Sequence, residues 1–206
     1  MRISNALHEA YPWVIRDVAR DFRLLDVWEL PVEGELGDFD TFLEGITSLD
    51  PAESGSAVSS ALFSVRLRIG KWLGWDDPAK EYPVPGCSET TLRVRLPDDL
   101  RGSVDARGRG GAFVGSGFTP LYRTDREWAA EVSNATVHGV LHLCWVDHGE
   151  GRHRGRLAVY VKPRGLPGEA YLALISPFRH LVVYPALIRQ IGRAWADRPP
   201  ARSKSR

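Results

Sequence analysis

Cysteine is scarce in this chain, with 2 among 206 residues, Cys87 and Cys144, and no CxxC pair. That excludes a disulfide framework. Charge of one sign is lacking too: Lys+Arg 27 against Asp+Glu 26 leaves a formal net charge of +1. No overall field draws the chain to nucleic acid or anionic lipid, so we expect no nucleic-acid partner. No apolar run approaches the ~18 residues that suggest a membrane span, and MRISNALHEAYPW at the start lacks the apolar core of a signal peptide. The expected compartment is a reducing cytoplasm, where the sequon Asn134-Ala-Thr136 is chemically idle. The basic tail Arg198-Pro-Pro-Ala-Arg-Ser-Lys-Ser-Arg206 reads as a disordered end rather than a nucleic-acid arm.

What is present fits one α+β domain over residues 1–197, followed by that tail at 198–206. Leu24–Pro31 reads as a first strand, with Leu24, Asp26, Trp28 and Leu30 on one face and Leu25 and Val27 on the other. Asp38 is a natural N-cap for a short helix running to Ser48. The clearest helix follows Ser56: Val58, Ala61, Leu62, Val65, Ile69, Trp72 and Leu73 make one apolar stripe, and Arg66, Arg68 and Lys71 a solvated cationic face. Residues 76–117 are irregular, and the glycine-rich 107–117 stretch leads into a strand rather than a helix, so it lacks the setting of a phosphate cradle. Four antiparallel strands are expected at Phe118–Arg123, Glu127–Ser133, Thr136–Val146 and Gly155–Lys162. The chain then turns helical from Pro167, with Ser176-Pro177 expected to cap a second piece that kinks at Pro185.

NATVHGVLHLCW (Asn134–Trp145) carries the densest chemistry. Its alternation favours a strand, and four residues along a strand separate His138 from His142 by ~13 Å, too far for one metal. No metal or other cofactor is therefore expected. A two-residue turn at Asn134-Ala135 would set Glu131 opposite His138 and Glu127 opposite His142. A second hairpin closed about Gly151 would bring Tyr160 beside His142. The weak catalytic candidates are thus His142, Glu127, Tyr160, His138 and Glu131. This register places them opposite the apolar face, hence outside, where cross-strand pairing explains them without catalysis. Cys144 shares their face and has no evident activator.

Several long strings carry a family resemblance: Asp21-Phe-Arg-Leu-Leu-Asp-Val-Trp-Glu-Leu-Pro31, Gly70-Lys-Trp-Leu-Gly-Trp-Asp76, Asn134–His142, Val161-Lys-Pro163 and the run from Pro177 to Trp195. Over residues 12–196 the chain resembles the bacterial domain of unknown function 2867 (DUF2867) family. Its element order resembles the START-like, polyketide-cyclase-like helix-grip superfamily. The resemblance implies a curved antiparallel sheet wrapped around a long C-terminal helix, two shorter helices after the first strand, and a small apolar or lipid-like ligand held between sheet and helix. It brings no catalytic residues. The expected pocket walls are Trp72, Trp128, Val137, Leu141, Leu143, Trp145, Leu157, Val159, Tyr171, Phe178 and Leu181. The alternatives are an enzyme of cyclase, dehydratase or hydrolase type, and a non-catalytic interaction module, a homodimer included, that covers the His/Tyr/Val face.

Overall fold

The computed structural model describes residues 1–47, 82–106 and 118–198. The expected helix after Ser56, with Trp72, the glycine-rich 107–117 stretch and the tail beyond Arg198 lie outside the described residues. The rest is α+β. Strands β1 (Arg23–Gly34), β2 (Thr119–Arg123), β3 (Glu127–Ser133), β4 (Val137–Asp147) and β5 (His153–Pro163) form one antiparallel sheet in the order β1-β5-β4-β3-β2. Short helices α1 (Asn5–Glu9) and α2 (Ile15–Val18) precede the sheet in sequence, and a further short helix, α4 (Ser103–Ala106), precedes β2. After β1, a 3₁₀ turn at Leu36–Asp38 leads into helix α3 (Phe39–Thr47). There Asp38 accepts from the Glu35 backbone N–H, so it belongs to a capping box one turn earlier than expected.

Both hairpins have the expected strands in a different register. The Asn134 N–H donates to the Val137 carbonyl, so the first turn has Ala135 and Thr136 at its tip, one residue later than expected. The cause is the Asn134 side chain, whose Oδ1 accepts from Thr136 N–H, Thr136 Oγ1 and Val137 N–H at 2.9, 2.9 and 3.0 Å. An asparagine that ties down the next backbone amides makes the start of the turn, not its centre. One residue at the tip moves every partner by two: Val132 pairs Gly139, Ala130 pairs Leu141 and Trp128 pairs Leu143. The second hairpin is also displaced by two, in the opposite sense, with Trp145 opposite Gly155 and Leu143 opposite Leu157 around a tip at Gly149–Gly151. A shift of two preserves which face each side chain takes. In β1 a bulge between Leu24 and Asp26 breaks the alternation, so Leu24 packs with Val27 on one side and Leu25 on the other.

Neither face of the sheet is left to solvent, which corrects the expectation of an outward His/Glu face. One face carries Trp128, Leu143, Trp145 and Leu157 beneath α3 and the C-terminal helix. The other carries Tyr122, Ala129, Val140, Cys144, Ala158 and Tyr160, covered by Trp13, Ile15, Val18 and Phe22 of the N-terminal segment and by Val84, Leu92 and Leu96. The interaction-module expectation for that second face falls with it, because the chain covers the face itself.

The C-terminal helix, α5, runs without a break from Gly165 to Ala196 and contains a π turn at Arg179–Val183. Ser176-Pro177 does not begin a new helix, and Pro177 sits inside the first part. Pro185 has no N–H to donate and its ring crowds the preceding turn; the widened turn just before it accommodates both defects. By length and composition alone α5 could cross a membrane. In this fold it lies along the sheet with Leu172, Tyr184, Ala186 and Ile191 buried. Leu166, Leu174 and Leu181 face outward, Leu181 with 76% of its surface exposed.

Candidate functional site

Among the described residues, two buried polar clusters and a pair of adjoining clefts are the candidates for function. The first is the face of β3 and β4 beneath the N-terminal segment. His138 Nε2 lies 2.9 Å from Glu131 Oε2, and His142 Nε2 lies 3.0 Å from Glu127 Oε2. Both pairs are diagonal across the sheet, since Glu131 faces Val140 and Glu127 faces Cys144. Glu131 is held further by Thr91 Oγ1 and by the Leu92 N–H. Glu127 accepts the Tyr122 hydroxyl at 2.7 Å and the Val14 N–H at 3.1 Å. Burial alone would raise the Glu127 carboxyl; the bonds from His142, Tyr122 and Val14 outweigh it and hold it below the ordinary carboxylate range. Ionised Glu127 makes His142 Nε2 the protonated nitrogen, which leaves Nδ1 with the lone pair in the neutral ring. Burial pushes the Tyr160 hydroxyl and the Cys144 thiol well above their usual ranges, so both stay protonated at neutral pH. All five candidate residues are therefore buried rather than on an outer surface; Glu127, Glu131, His138 and His142 are hydrogen-bonded, and the Tyr160 hydroxyl has no partner among the described residues.

The sequence reasoning missed a member of this layer. His8, on α1, has 0% of its surface exposed and stacks on Trp13 at 5.8 Å between ring centroids. It meets the His142 ring edge-on at 5.2 Å. Burial, helped by the charges of His142, Arg156 and Arg16, lowers its pKa to about 2. Position in an irregular N-terminal stretch gave no signal for it; only the fold brings it to β4.

The second neighbourhood is the seam between β1 and the π turn. Asp26 is fully buried, and its carboxylate receives His180 Nε2 at 2.6 Å, Arg179 Nη2 at 2.9 Å, the Tyr184 hydroxyl at 3.2 Å and Arg2 at 3.2 Å. His180 Nδ1 lies 3.4 Å from Ser176 Oγ, one turn back on the same helix. The π turn brings consecutive residues, Arg179 and His180, onto the same carboxylate. π turns recur at functional sites for this ability to redirect side chains.

The third is open space at the same seam, one to three turns further on. A cleft of about 330 Å³ lies between α3 and the end of α5, floored by Val32, Phe42, Ile46, Ile191 and Trp195. A neighbouring cleft of about 550 Å³ continues past Trp195 along β1 toward Leu30, Pro31 and Ile188. Trp195 is pinned between them, its indole N–H donating to the Glu33 carbonyl at 3.2 Å. Phe42 and Trp145 back it at 6.2 and 5.9 Å. The Arg198 guanidinium lies over the Trp195 ring, 3.6 Å from its centroid, at the mouth.

Most of the expected pocket walls sit elsewhere. Trp128, Leu143, Trp145 and Leu157 are all but closed to solvent within the packed cluster under α3 and α5, with Leu141 and Val159 at its edge. Val137 and Tyr171 pack with Val161 and Leu172 at the start of α5. Phe178 is half-buried, and Leu181 faces outward.

A family described as "Protein of unknown function (DUF2867)" matches residues 18–186. No curated protein and no solved structure matches the chain.

Proposed function

Because the chain belongs to the DUF2867 family, whose description names no reaction, we propose from the geometry that it binds a small apolar molecule with an acidic head. The site is the cleft between β1, α3 and the end of α5. The observation that carries this reading is the Trp195 cleft. Its volume, about 330 Å³, falls within the size range of small-molecule sites, and an aromatic floor with Arg198, the one cation among the described lining residues, suits an amphipathic acid; the Glu44 carboxylate lines the cleft as well. The seam is also where a helix-grip protein would hold its ligand, which is the architecture that the element order resembles. Arg198 supplies the charge; Arg154, at the second cleft, is already paired with Glu29 and Glu33.

The test is to purify the protein from cells under native conditions, extract what it carries and identify it by mass spectrometry. A recurrent amphipathic acid at near one per chain supports the reading. A protein that carries none, and that gives no heat signal with medium-chain fatty acids, counts against it.

A second reading, hydrolase chemistry, is favoured by one observation: His180 bridges the buried Asp26 and Ser176. A carboxylate–imidazole–hydroxyl series is the arrangement that activates a serine nucleophile. A fluorophosphonate probe that labels the protein but not Ser176→Ala would support this reading, and failure to label would end it.

A further inference from the structure

The buried layer on the opposite face of the sheet holds an arrangement that ligand binding at the Trp195 cleft does not use. We propose that His8, His142 and Cys144 form a binding site for one transition-metal ion of borderline softness, zinc(II) fitting the donor set best. Their candidate ligand atoms all lie within 4.8 Å of one another. His142 and Cys144 are two apart on β4 and so share one side of the strand, about 6.6 Å apart along it. His8 closes the group from α1. This is the pairing that His138 and His142, four apart, could not make.

The polar atoms support a ligand here. Both His8 ring nitrogens and His142 Nδ1 are buried with no hydrogen-bond partner among the described residues. Leaving a buried polar group unmade costs about 1–3 kcal/mol in general, and here both histidines of the group carry such an atom. His142 is also oriented as metal-binding imidazoles are: its other nitrogen is held by the carboxylate of Glu127, which leaves the Nδ1 lone pair for the ion. The Tyr160 ring lies 6.1 and 6.5 Å from those of His8 and His142, and its buried hydroxyl is likewise without a partner among the described residues. Two imidazoles and a thiolate select zinc, cobalt or copper over magnesium and calcium, which require oxygen ligands.

The chemistry balances without a further reactant. His8 is fully buried, and a neutral imidazole there offers one ring nitrogen's lone pair to an ion. Cys144 is a free, fully buried thiol. On binding, the S–H bond breaks, the proton leaves to solvent and the sulfur–metal bond forms, so one proton is released per ion. The positive charge of Arg156 opposes a cation but favours the thiolate. The ion's two charges are matched by the Cys144 thiolate and the Glu127 carboxylate. Tetrahedral zinc brings its ligand atoms to about 3.6 Å from one another, so the group needs to contract by about an ångström. The bound ion would then staple the N-terminal segment to β4.

The test uses untagged full-length protein, stripped with a chelator and titrated with cobalt(II) and then zinc(II). The expected result is one ion per chain, with a near-ultraviolet thiolate-to-cobalt charge-transfer band that zinc displaces. Cys144→Ser should lose the band, and His8→Gln should bind at least about tenfold more weakly. Cys87→Ser and the exposed-turn variant His148→Ala should behave as the wild type does. X-ray absorption at the zinc edge of the loaded wild type should show one sulfur in the first shell, a reading that does not depend on any variant folding. Absence of stoichiometric binding, cobalt bound without the band, or a first shell without sulfur would show that the three residues are only packed core.

Discussion

Glu127 is bonded to His142 at 3.0 Å although the two do not face each other across the sheet; Cys144 faces Glu127 and Ala129 faces His142. The same carboxylate also accepts the Tyr122 hydroxyl and the Val14 N–H. One carboxyl group thereby ties β2, β3, β4 and the N-terminal segment together.

Glu127→Leu should therefore destabilise the fold by about 3–5 kcal/mol, because it leaves buried donors on His142, Tyr122 and Val14 without an acceptor. Glu127→Gln should cost less, since the amide oxygen keeps one acceptor. Urea denaturation of the two variants checks the order, and equal losses would contradict it.

The pH dependence follows from two depressed pKa values. His8 titrates near 2 in the fold and at about 6.5 in the unfolded chain, so below pH 6.5 the unfolded state binds the extra proton. Its contribution is present at neutral pH and is lost as pH falls from about 6.5 toward 2. Glu127 acts in the same direction: its contribution is present above the unfolded carboxylate pKa, and is lost as pH falls from there through its lower folded value. Stability measured between pH 7 and 5 should fall with a slope to which His8 contributes up to about 1.4 kcal/mol per pH unit. His8→Leu should flatten that slope; an unchanged slope in the variant would contradict the burial of a neutral His8.

Asp26 gathers Arg2, Arg179, His180 and Tyr184 onto one buried carboxylate. Asp26→Asn should lower stability by about 3–5 kcal/mol, because the cationic partners stay while the charge goes. The loss should shrink in Asp26→Asn/Arg179→Met, where the nearest uncompensated cation is gone. A double variant no better than the single would contradict the pairing.

Glycine to alanine inside a helix ordinarily stabilises by up to about 1 kcal/mol. Gly168→Ala should do the reverse. A Cβ there would overlap the Thr136 carbonyl oxygen and press on Pro163, because the first turn of α5 lies directly on the β3–β4 turn. The expected loss is about 1–3 kcal/mol by thermal or chemical unfolding, and a gain would show that α5 does not start against that turn.

The strands were legible because alternation of apolar and polar residues is a local signal, and their faces survived a register error of two. The register itself turned on one side chain, Asn134, whose bonds move the tip to Ala135-Thr136. Burial of the His/Glu face was not legible. It depends on Trp13, Phe22, Leu92 and Leu96, which come from irregular segments with no periodicity to read. The π turn was hidden for a similar reason: Pro185 predicts a defect in the helix but not its form, and the convergence of Arg179 and His180 on Asp26 follows from the form. His8 reached the site through long-range packing alone.

Binding of an amphipathic acid in the Trp195 cleft is tested most directly by Gly45→Leu. Gly45 lines the cleft, and a Cβ there meets nothing within 4 Å among the described residues, so a larger side chain is expected to take up cleft space without disturbing the described backbone. Native mass spectrometry of wild type and variant from the same cells should show a bound small acid on the first and none on the second, with equal thermal stability or slightly higher in the variant. The same bound mass on both, or none on either, would contradict the claim.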